Sequence, residues 1–423
     1  MKWKKQIYLV GMGMGTLEGL TLEARNTIES CDVLVGAKRM LEPFFEREQL
    51  QENGEREKIL FISCHPKEIG DFLRAQSEMK QGAVLLSGDV GFYSGAKGLL
   101  TELQDFQLTL IPGISSLVYF CSRLKVSWEE VCFTSVHGKD SNLICRIWRH
   151  KRTFALLGSG EQLKELCQKL VYYGMEDVIL HIGERLSYPE ERVVSEKAGI
   201  LWEKGNFDFD NLLVVLAENE KAVDFVAFSI PDEEFVRSKV PMTKSEVRAV
   251  SVGKMKLTSK SLCYDIGAGT GSVSIEIAMQ SPNIKVFSIE KNPEAIKLLE
   301  KNKQKFCADN MEIIFGQAPS VLEELPAPTS VFIGGSAGNL SSIIDRVFAK
   351  NRECRIVIHT VSLNSLAEVM EYMKKHSELE TDIVQLQTAK NKKLGSYQMM
   401  MGQNPIYIIT MIHKGQKSEI VPA

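Results

Sequence analysis

The chain has 423 residues, 44% hydrophobic and 25% charged, which are the proportions of a soluble globular protein with room for two domains. Its net charge of −3 supplies no basic field to draw in nucleic acid, and no apolar run approaches the roughly 18 residues of a membrane span. Nine scattered cysteines without a Cys-x-x-Cys pair, and seven histidines without metal-ligand spacing, argue against a disulfide framework and a bound metal.

The start, Met1-Lys2-Trp3-Lys4-Lys5, leads into a short strand and not into the long apolar region of a signal peptide, so a cytoplasmic location is expected. Ile7 to Val10 reads as that strand, running into Gly11-Met12-Gly13-Met14-Gly15. A polar helix from about Thr21 to Ser30 follows, then strands at Asp32 to Val35 and Lys58 to Ile62. Ala83 to Leu86 is a fourth strand, ending in Ser87-Gly88-Asp89-Val90-Gly91-Phe92-Tyr93-Ser94. A helix from about Gly95 to Leu103 leads to strand Leu108 to Ile111, which ends in Pro112-Gly113-Ile114-Ser115-Ser116. Strands alternating with helices imply a parallel sheet, and such sheets bind ligands at the carboxyl ends of their strands. Gly and Pro punctuate most loops, but three Gly/Ser/Asp-rich turns converging on one crevice point to a site more strongly than any one alone.

The alternation resumes with strand Thr153 to Leu157, helix Glu161 to Tyr173, and strands Val178 to Ile182 and Asn211 to Ala217. Arg146, Arg149, His150, Lys151 and Arg152 form a basic run, readable as a solvated helix end or as a cradle for a polycarboxylate. Glu218 to Val240 is rich in charge and carries Pro231, with Pro241 next, and reads as a linker. The expected division is 1–222, a linker at 223–239, and 240–423.

In the last part, Thr243 or Ser245 is placed to cap a helix, with Glu246 completing a capping box, and Thr243 is also a candidate ligand contact. The apolar run Leu262 to Tyr264 leads into Asp265-Ile266-Gly267-Ala268-Gly269-Thr270-Gly271, followed by a helix pattern containing Val273, Ile275, Ile277 and Ala278. Strand Ile284 to Ile289 ends in Glu290, and helix Pro293 to Lys303 follows. Met311 to Phe315 ends in Gly316-Gln317-Ala318-Pro319, and Ser330 to Ile333 in Gly334-Gly335-Ser336. Arg355 to His359 and Pro405 to Met411 add strands at the far edge of a Rossmann-like sheet.

Strand, glycine-rich turn and helix form a nucleotide-binding crossover, in which glycine lets the backbone approach a ligand. An acid ending the second strand, here Glu290, can accept both ribose hydroxyls. A dinucleotide would rest its pyrophosphate on the helix N-terminus. Asp265 would repel that group but suits the ammonium of S-adenosylmethionine (SAM), and the spacing is Gly-x-Gly-x-Gly. SAM is therefore favoured over a dinucleotide and over a purely structural turn.

Val10-Gly-Met-Gly-Met-Gly15, Leu86-Ser-Gly-Asp89 with Phe92-Tyr93, and Ile111-Pro-Gly-Ile-Ser-Ser116 resemble the three motifs of the tetrapyrrole (corrin/porphyrin) methylase family, over roughly residues 5–220. Met14 and Val90 stand where that family usually has proline. His137-Gly138-Lys139-Asp140 resembles a signature of the branch that methylates precorrin-7-type substrates. Asp265 to Gly271, Phe332-Ile-Gly-Gly335, Gln403-Asn-Pro-Ile406 and Val240 to Arg248 resemble the decarboxylating precorrin-6B-type C15 methyltransferases, over about residues 230–415. The chain thus looks like a fusion of two unrelated methyltransferase folds.

The resemblance implies an α/β protein: a tetrapyrrole methylase fold of two α/β subdomains, then a Rossmann-like class I SAM methyltransferase domain. It implies one SAM per domain. In the first, the contacts would be Gly11, Gly13, Gly15, Gly88, Asp89, Phe92, Ser115 and Ser116. In the second they would be Thr243, Asp265, Gly267, Ala268, Gly269, Thr270, Gly271, Glu290, Gln317 and Ala318. The implied reaction is methylation of a corrin intermediate at its 5 and 15 bridge carbons, with decarboxylation of the ring-C acetate, in cobalamin biosynthesis. The expected partner is a small tetrapyrrole, with no nucleic acid and no membrane, and self-association is implied. RNA is the rival substrate, disfavoured by the lack of a basic tail.

The macrocycle supplies its own electrons, so no enzyme nucleophile is required and catalysis rests on positioning. Tyr93, His137 and His359 are candidates for moving a proton. Lys390, Lys392 and Lys393, ahead of Gly395-Ser396-Tyr397, form either a solvated loop or a contact for substrate carboxylates.

Overall fold

The computed structural model describes residues 5–48, 58–135, 142–209, 212–224 and 228–415. The chain divides into two compact units at Glu220, with Asp140–His150 and Gln168–Glu176 grouped with the second.

The first unit holds two sheets. Strands β1 (Gln6–Gly11), β2 (Val33–Gly36), β3 (Ile59–Ile62), β4 (Gln81–Leu86) and β5 (Gln107–Ile111) form an all-parallel sheet in the order β3-β2-β4-β1-β5. The central strands are nearly continuous apolar runs because helices cover both faces. Thr21 caps helix Leu22–Ser30 by accepting from the Ala24 N–H, which turns Ala24 and Ile28 onto Leu34 and Leu85. On the other face, Ile69, Leu73 and Leu99 pack on Ile7, Leu9 and Val84. All three glycine-rich turns leave the carboxyl ends of central or adjoining strands, β1, β4 and β5.

The second sheet departs from simple α/β alternation. Strands β6 (Cys132–Ser135), β7 (Arg152–Leu157), β8 (Ile179–Glu184), β9 (Arg192–Lys197) and β10 (Leu213–Glu218) order as β6-β7-β10-β8-β9, and only the β6/β7 pair is parallel. Arg185–Glu191, between β8 and β9, is shorter than the dozen or so residues that a parallel crossover needs. Strand β9, Arg-Val-Val-Ser-Glu-Lys, is a charged, half-exposed edge, and its muted pattern hid it from the sequence reading.

The second unit is built on β11 (Leu262–Ile266), β12 (Lys285–Glu290), β13 (Met311–Phe315), β14 (Ser330–Ile333), β15 (Arg355–Thr360), β16 (Leu379–Leu386) and, past the hairpin β17 (Ala389–Leu394) and β18 (Tyr397–Gly402), β19 (Ile406–His413). The order is β13-β12-β11-β14-β15-β19-β16, parallel except that β19 runs against both neighbours. The residues expected as a lysine-bearing loop, Lys390, Lys392 and Lys393, therefore lie on a strand.

Part of the expected linker is core of this unit. Ile230 and Phe235 are buried, and Phe235 packs on Phe306 at 5.0 Å. Beneath them Arg248 is fully buried, donating to Glu276 at 2.6 Å and to Asp232 at 3.4 Å. Its guanidinium lies 4.7 Å from the Phe235 ring centroid and donates to the backbone oxygens of Ile230 and Thr243. Helix Ser245–Lys254 starts without a side-chain cap, at Lys244. The expected capping box does not form; Glu246 instead pairs with Lys390 at 3.0 Å.

Candidate functional site

The strand order of the seven-stranded sheet reverses between β11 and β14, so the chain leaves their carboxyl ends in opposite directions and a crevice opens. A cavity of ≈ 620 Å³ lies there. That volume is in the range of small-molecule sites, roughly 300–1,000 Å³. Its walls are the carboxyl ends of five neighbouring strands, β11 to β15, and the stretch Val240–Lys244.

Gly267 shows why this loop is glycine. Its φ is 76°, and a Cβ there would stand 2.8 Å from the backbone N and O of Gly335. Two loops thus meet backbone to backbone at the cavity wall, which any larger residue would prevent. Gly267, Ala268, Gly269 and Thr270 all line the cavity. The Thr270 Oγ1 is buried with no hydrogen-bond partner among the described residues. Gly271, at φ 78°, opens helix Ser272–Gln280 from behind the wall.

Glu290 is the anchored acid of the site. One carboxylate oxygen accepts from the Gly269 N–H at 2.8 Å, and the other from the N–H groups of Lys291 and Asn292, both at 2.9 Å. Backbone donors fix its direction at the end of β12 while leaving lone pairs for hydroxyl donors. Gln317, Ala318 and Thr243 also line the cavity.

Asp265 does not. Its side chain is fully buried and absent from the cavity wall. It accepts from the Ser274 Oγ at 2.5 Å, Ser274 accepts from Ser288 at 2.7 Å, and its Oδ1 has no partner. Burial pushes the carboxyl up to about 7, the charge of Glu290 adds to this, and the Ser274 bonds oppose it. Asp265 was expected to meet an ammonium; its side chain turns beneath the loop toward the next helix. Successive strand residues face opposite sides, and which side Asp265 takes is set by tertiary packing.

Sequence reasoning left several wall residues out of the site, among them Gly334, Gly335, Ser336, Thr360 and Ile406. The Gly334-Gly335 pair closing β14 was the visible signal. His359, at the end of β15, also lines the cavity. Its Nε2 lies 2.5 Å from the Ser251 Oγ, and its ring stands edge-on to Phe332 at 4.5 Å. Burial lowers its pKa to about 4, so it is neutral at pH 7. Lys390 is held by Glu246 and is no free contact.

In the first unit the three turns close on one another. Gly13 and Gly88 exchange backbone hydrogen bonds of 3.1 and 2.7 Å. Asp89 accepts from Gly91 N at 2.8 Å and from Gly113 N at 3.1 Å, tying the second turn to the third. A Cβ on Gly113 would stand 2.5 Å from the Gly88 O and 2.6 Å from the Gly11 O. Gly113 is a missed member of this cluster, signalled by the Pro-Gly of the third turn. Gly15 approaches Tyr188, whose buried hydroxyl has no partner.

The remaining expected residues divide. Ser115 caps helix Ser116–Leu124 by accepting from the Val118 N–H at 3.3 Å, so its side chain is used locally, and Ser116 opens that helix. Phe92 packs on Phe133 and Phe154. Met14, where the family has proline, packs on the cluster of Phe120 and Phe154. Tyr93 is half exposed, with φ 49°. His137 to Asp140 lie outside the described residues.

Residues 6–201 match the family model of the tetrapyrrole (corrin/porphyrin) methylases, and residues 234–413 that of the precorrin methyltransferase domain. Over 184 residues the chain is 38% identical to a probable cobalt-precorrin-6B C(15)-methyltransferase (decarboxylating) of Pyrobaculum calidifontis, covering 43% of this chain and 94% of that one. It is 37% identical over 180 residues to the cobalt-precorrin-6B C(15)-methyltransferase (decarboxylating) of Salmonella typhimurium, covering 42% and 93%. A precorrin-6Y C(5,15)-methyltransferase (decarboxylating) of Sinorhizobium sp is 24% identical over 404 residues, which are 95% of this chain and 94% of that one. The chain belongs to the decarboxylating precorrin methyltransferase family, in the form that joins a tetrapyrrole methylase half to a precorrin methyltransferase half.

Proposed function

We propose that the chain carries two methyl-transfer sites, one in each half, each binding its own SAM. The second half methylates the 15 bridge carbon of a corrin intermediate and releases the ring-C acetate as carbon dioxide. The first methylates the 5 bridge carbon. The observation that carries the reading for the second half is the switch-point cavity with Glu290 held in its wall by three backbone N–H groups.

The residues present fit SAM. Glu290 would take the ribose hydroxyls, Gln317 and Ala318 the adenine, and the Gly267–Thr270 backbone the methionine portion, beside the unpartnered Thr270 Oγ1. With Asp265 out of the cavity, Glu290 carries the argument against a dinucleotide: its charge holds the Gly269 N–H that a pyrophosphate would want. SAM supplies an electrophilic methyl group, and the electron-rich macrocycle attacks it. The chain's part is to hold the two in line, which is worth several powers of ten in rate. Lys291 borders the cavity and suits a substrate with many carboxylates, whereas Lys244, also at its border, pairs with Asp232 at 3.8 Å. In the first half, the joined turns of Gly13, Gly88 and Gly113 form the corresponding floor.

The protein is further proposed to act in the cytoplasm, as a self-associating enzyme on a small tetrapyrrole and not on nucleic acid. Incubation with SAM and a precorrin-6B-type substrate, metal-free or cobalt-bearing, tests the function by mass spectrometry. The expected product gains two methyl groups and loses one carbon dioxide. A product lacking these changes with both substrate forms refutes the reading.

A further inference from the structure

We infer that the Nδ1 atom of His359 accepts the proton that the 15 bridge carbon loses once it has taken the methyl group. The inference rests on the methyl-transfer reading of the second half, and it assigns the base which that reaction needs.

The tautomer follows from a count of protons. The Ser251 hydroxyl has one proton, and it is donated to the Val247 carbonyl oxygen at 2.6 Å. The same oxygen lies 2.5 Å from His359 Nε2; with its proton on Val247 it accepts there, and Nε2 carries the hydrogen. A neutral imidazole has one N–H, which leaves Nδ1 as a bare acceptor. Nδ1 has no hydrogen bond to any described residue, whereas Ser251 is fully buried and does not line the cavity. His359 does line it, edge-on to Phe332. One nitrogen is thus fastened into the core, and the other is left for whatever occupies the cavity.

Position agrees with this role. Glu290 ends β12 and His359 lies near the end of β15, three strand spacings away in the order β12-β11-β14-β15. At about 4.8 Å per spacing that is roughly 14 Å, so His359 lies well beyond the ribose end that Glu290 marks. Glu290 is also committed to three backbone donors. Burial keeps His359 unprotonated at neutral pH, as a proton acceptor must be.

The step balances. The bridge carbon forms a bond to the methyl carbon as the methyl–sulfur bond breaks, its electron pair staying on sulfur. That carbon now bears both a hydrogen and a methyl group. Its C–H bond breaks, the pair returns to the ring π-system, and the proton joins the Nδ1 lone pair. Loss of the acetate carboxylate as carbon dioxide leaves a methylene that takes up one proton, so release and uptake match, and the imidazolium returns to neutral.

Two variants of the full chain, H359Q and H359A, test this, with C5 methylation by the first half as an internal control. The expected result is a hundredfold or greater loss of C15 methylation, with calorimetric SAM affinity kept within about threefold and added imidazole partly restoring H359A. In the protein without SAM, ¹⁵N NMR should show His359 protonated at Nε2 and bare at Nδ1. Wild-type turnover by H359Q, an Nδ1–H tautomer, or loss of SAM binding in step with turnover overturns the inference. If the wild-type chain itself yields no C15-methylated product, the proposed function fails instead.

Discussion

In the second half, Gly267 and Gly335 meet so that a cavity stays open beside them, whereas in the first half Gly11, Gly88 and Gly113 meet so that three turns lock onto one another. The fastening differs too. The first half ties its turns directly through Asp89, which accepts from two loop N–H groups. The second holds one wall, near Thr243, from below through Arg248. Glycine is required in both places by close backbone approach, but in one half that approach borders an open cavity and in the other it joins three turns. The two proposed SAM sites, built on similar-looking motifs, should therefore fail in different ways.

The largest expected break is in the Arg248 fastening. Arg248→Met would leave Glu276 buried without its cation, which costs about 3–5 kcal/mol, while Asp232 keeps Lys244 at 3.8 Å. Denaturant unfolding should show the second half lost first, with C15 methylation gone and C5 methylation retained. Equal loss of both activities would mean that the halves do not stand separately.

A matched pair of glycine substitutions sharpens the comparison. Gly113→Ala puts a Cβ against the Gly88 and Gly11 carbonyl oxygens, and overpacking of this kind costs about 1–3 kcal/mol. Because that contact is chain on chain, thermal stability of the first half should fall along with its SAM binding. Gly267→Ala meets Gly335 and also has a positive φ, which adds about 1–2 kcal/mol of backbone strain. Its loop borders the cavity, so the expected signature is a tenfold or greater loss of SAM affinity in the second half, read by calorimetry, with the first site unaffected.

What the sequence made legible follows the same line. Apolar strands ending in glycine turns were readable because a buried parallel strand is apolar throughout, and a Rossmann-like crossover has a fixed grammar. The charged edge strand β9 and the exposed hairpin β17/β18 have no buried face and so leave no pattern. Glu290 could be placed at the cavity because it ends a strand. The burial of Asp265 was not legible, because the face that its side chain takes depends on Ser274 and Ser288, which come from two later elements. Gly113 stood in a quoted motif but was not picked, since its reason for being glycine is two other loops.

The burial of Asp265 has a pH signature confined to the second half. Its folded pKa, about 7, lies above the ordinary carboxylate value of 3.8, so its contribution to stability is full below pH 3.8 and is lost as pH rises to 7. His359, lowered from 6.5 to about 4, contributes stability above pH 6.5 that is lost as pH falls toward 4. The two slopes oppose each other at about 1.4 kcal/mol per pH unit and nearly cancel between pH 4 and 6.5. In Asp265→Asn the opposing slope is removed, and stability should rise with pH across that window more steeply than in wild type. Chemical unfolding of both proteins at a series of pH values checks this, and equal slopes in wild type and variant would show that Asp265 is ionised in the folded state. SAM affinity should change less than threefold, since the side chain does not reach the cavity.

The smallest effect comes from the acid that does reach it. In Glu290→Gln the side-chain oxygen can still accept from Lys291 and Asn292, but the amide then points its NH₂ at the Gly269 N–H, donor against donor. The glycine loop loses one tie, and the ribose loses a charged acceptor for a neutral one. A charge-assisted hydrogen bond is about twice as strong as a neutral one, so roughly 1.4 kcal/mol, a tenfold weaker dissociation constant, is expected at this site. Asp89→Asn is the counterpart in the first half, where one of the two ties, to Gly91 or Gly113, must face an NH₂. Calorimetry on the two variants should show each weakening its own site and sparing the other. If Glu290→Gln weakened both sites alike, the halves would share one cofactor region, and the contrast between an open and a locked glycine site would fall.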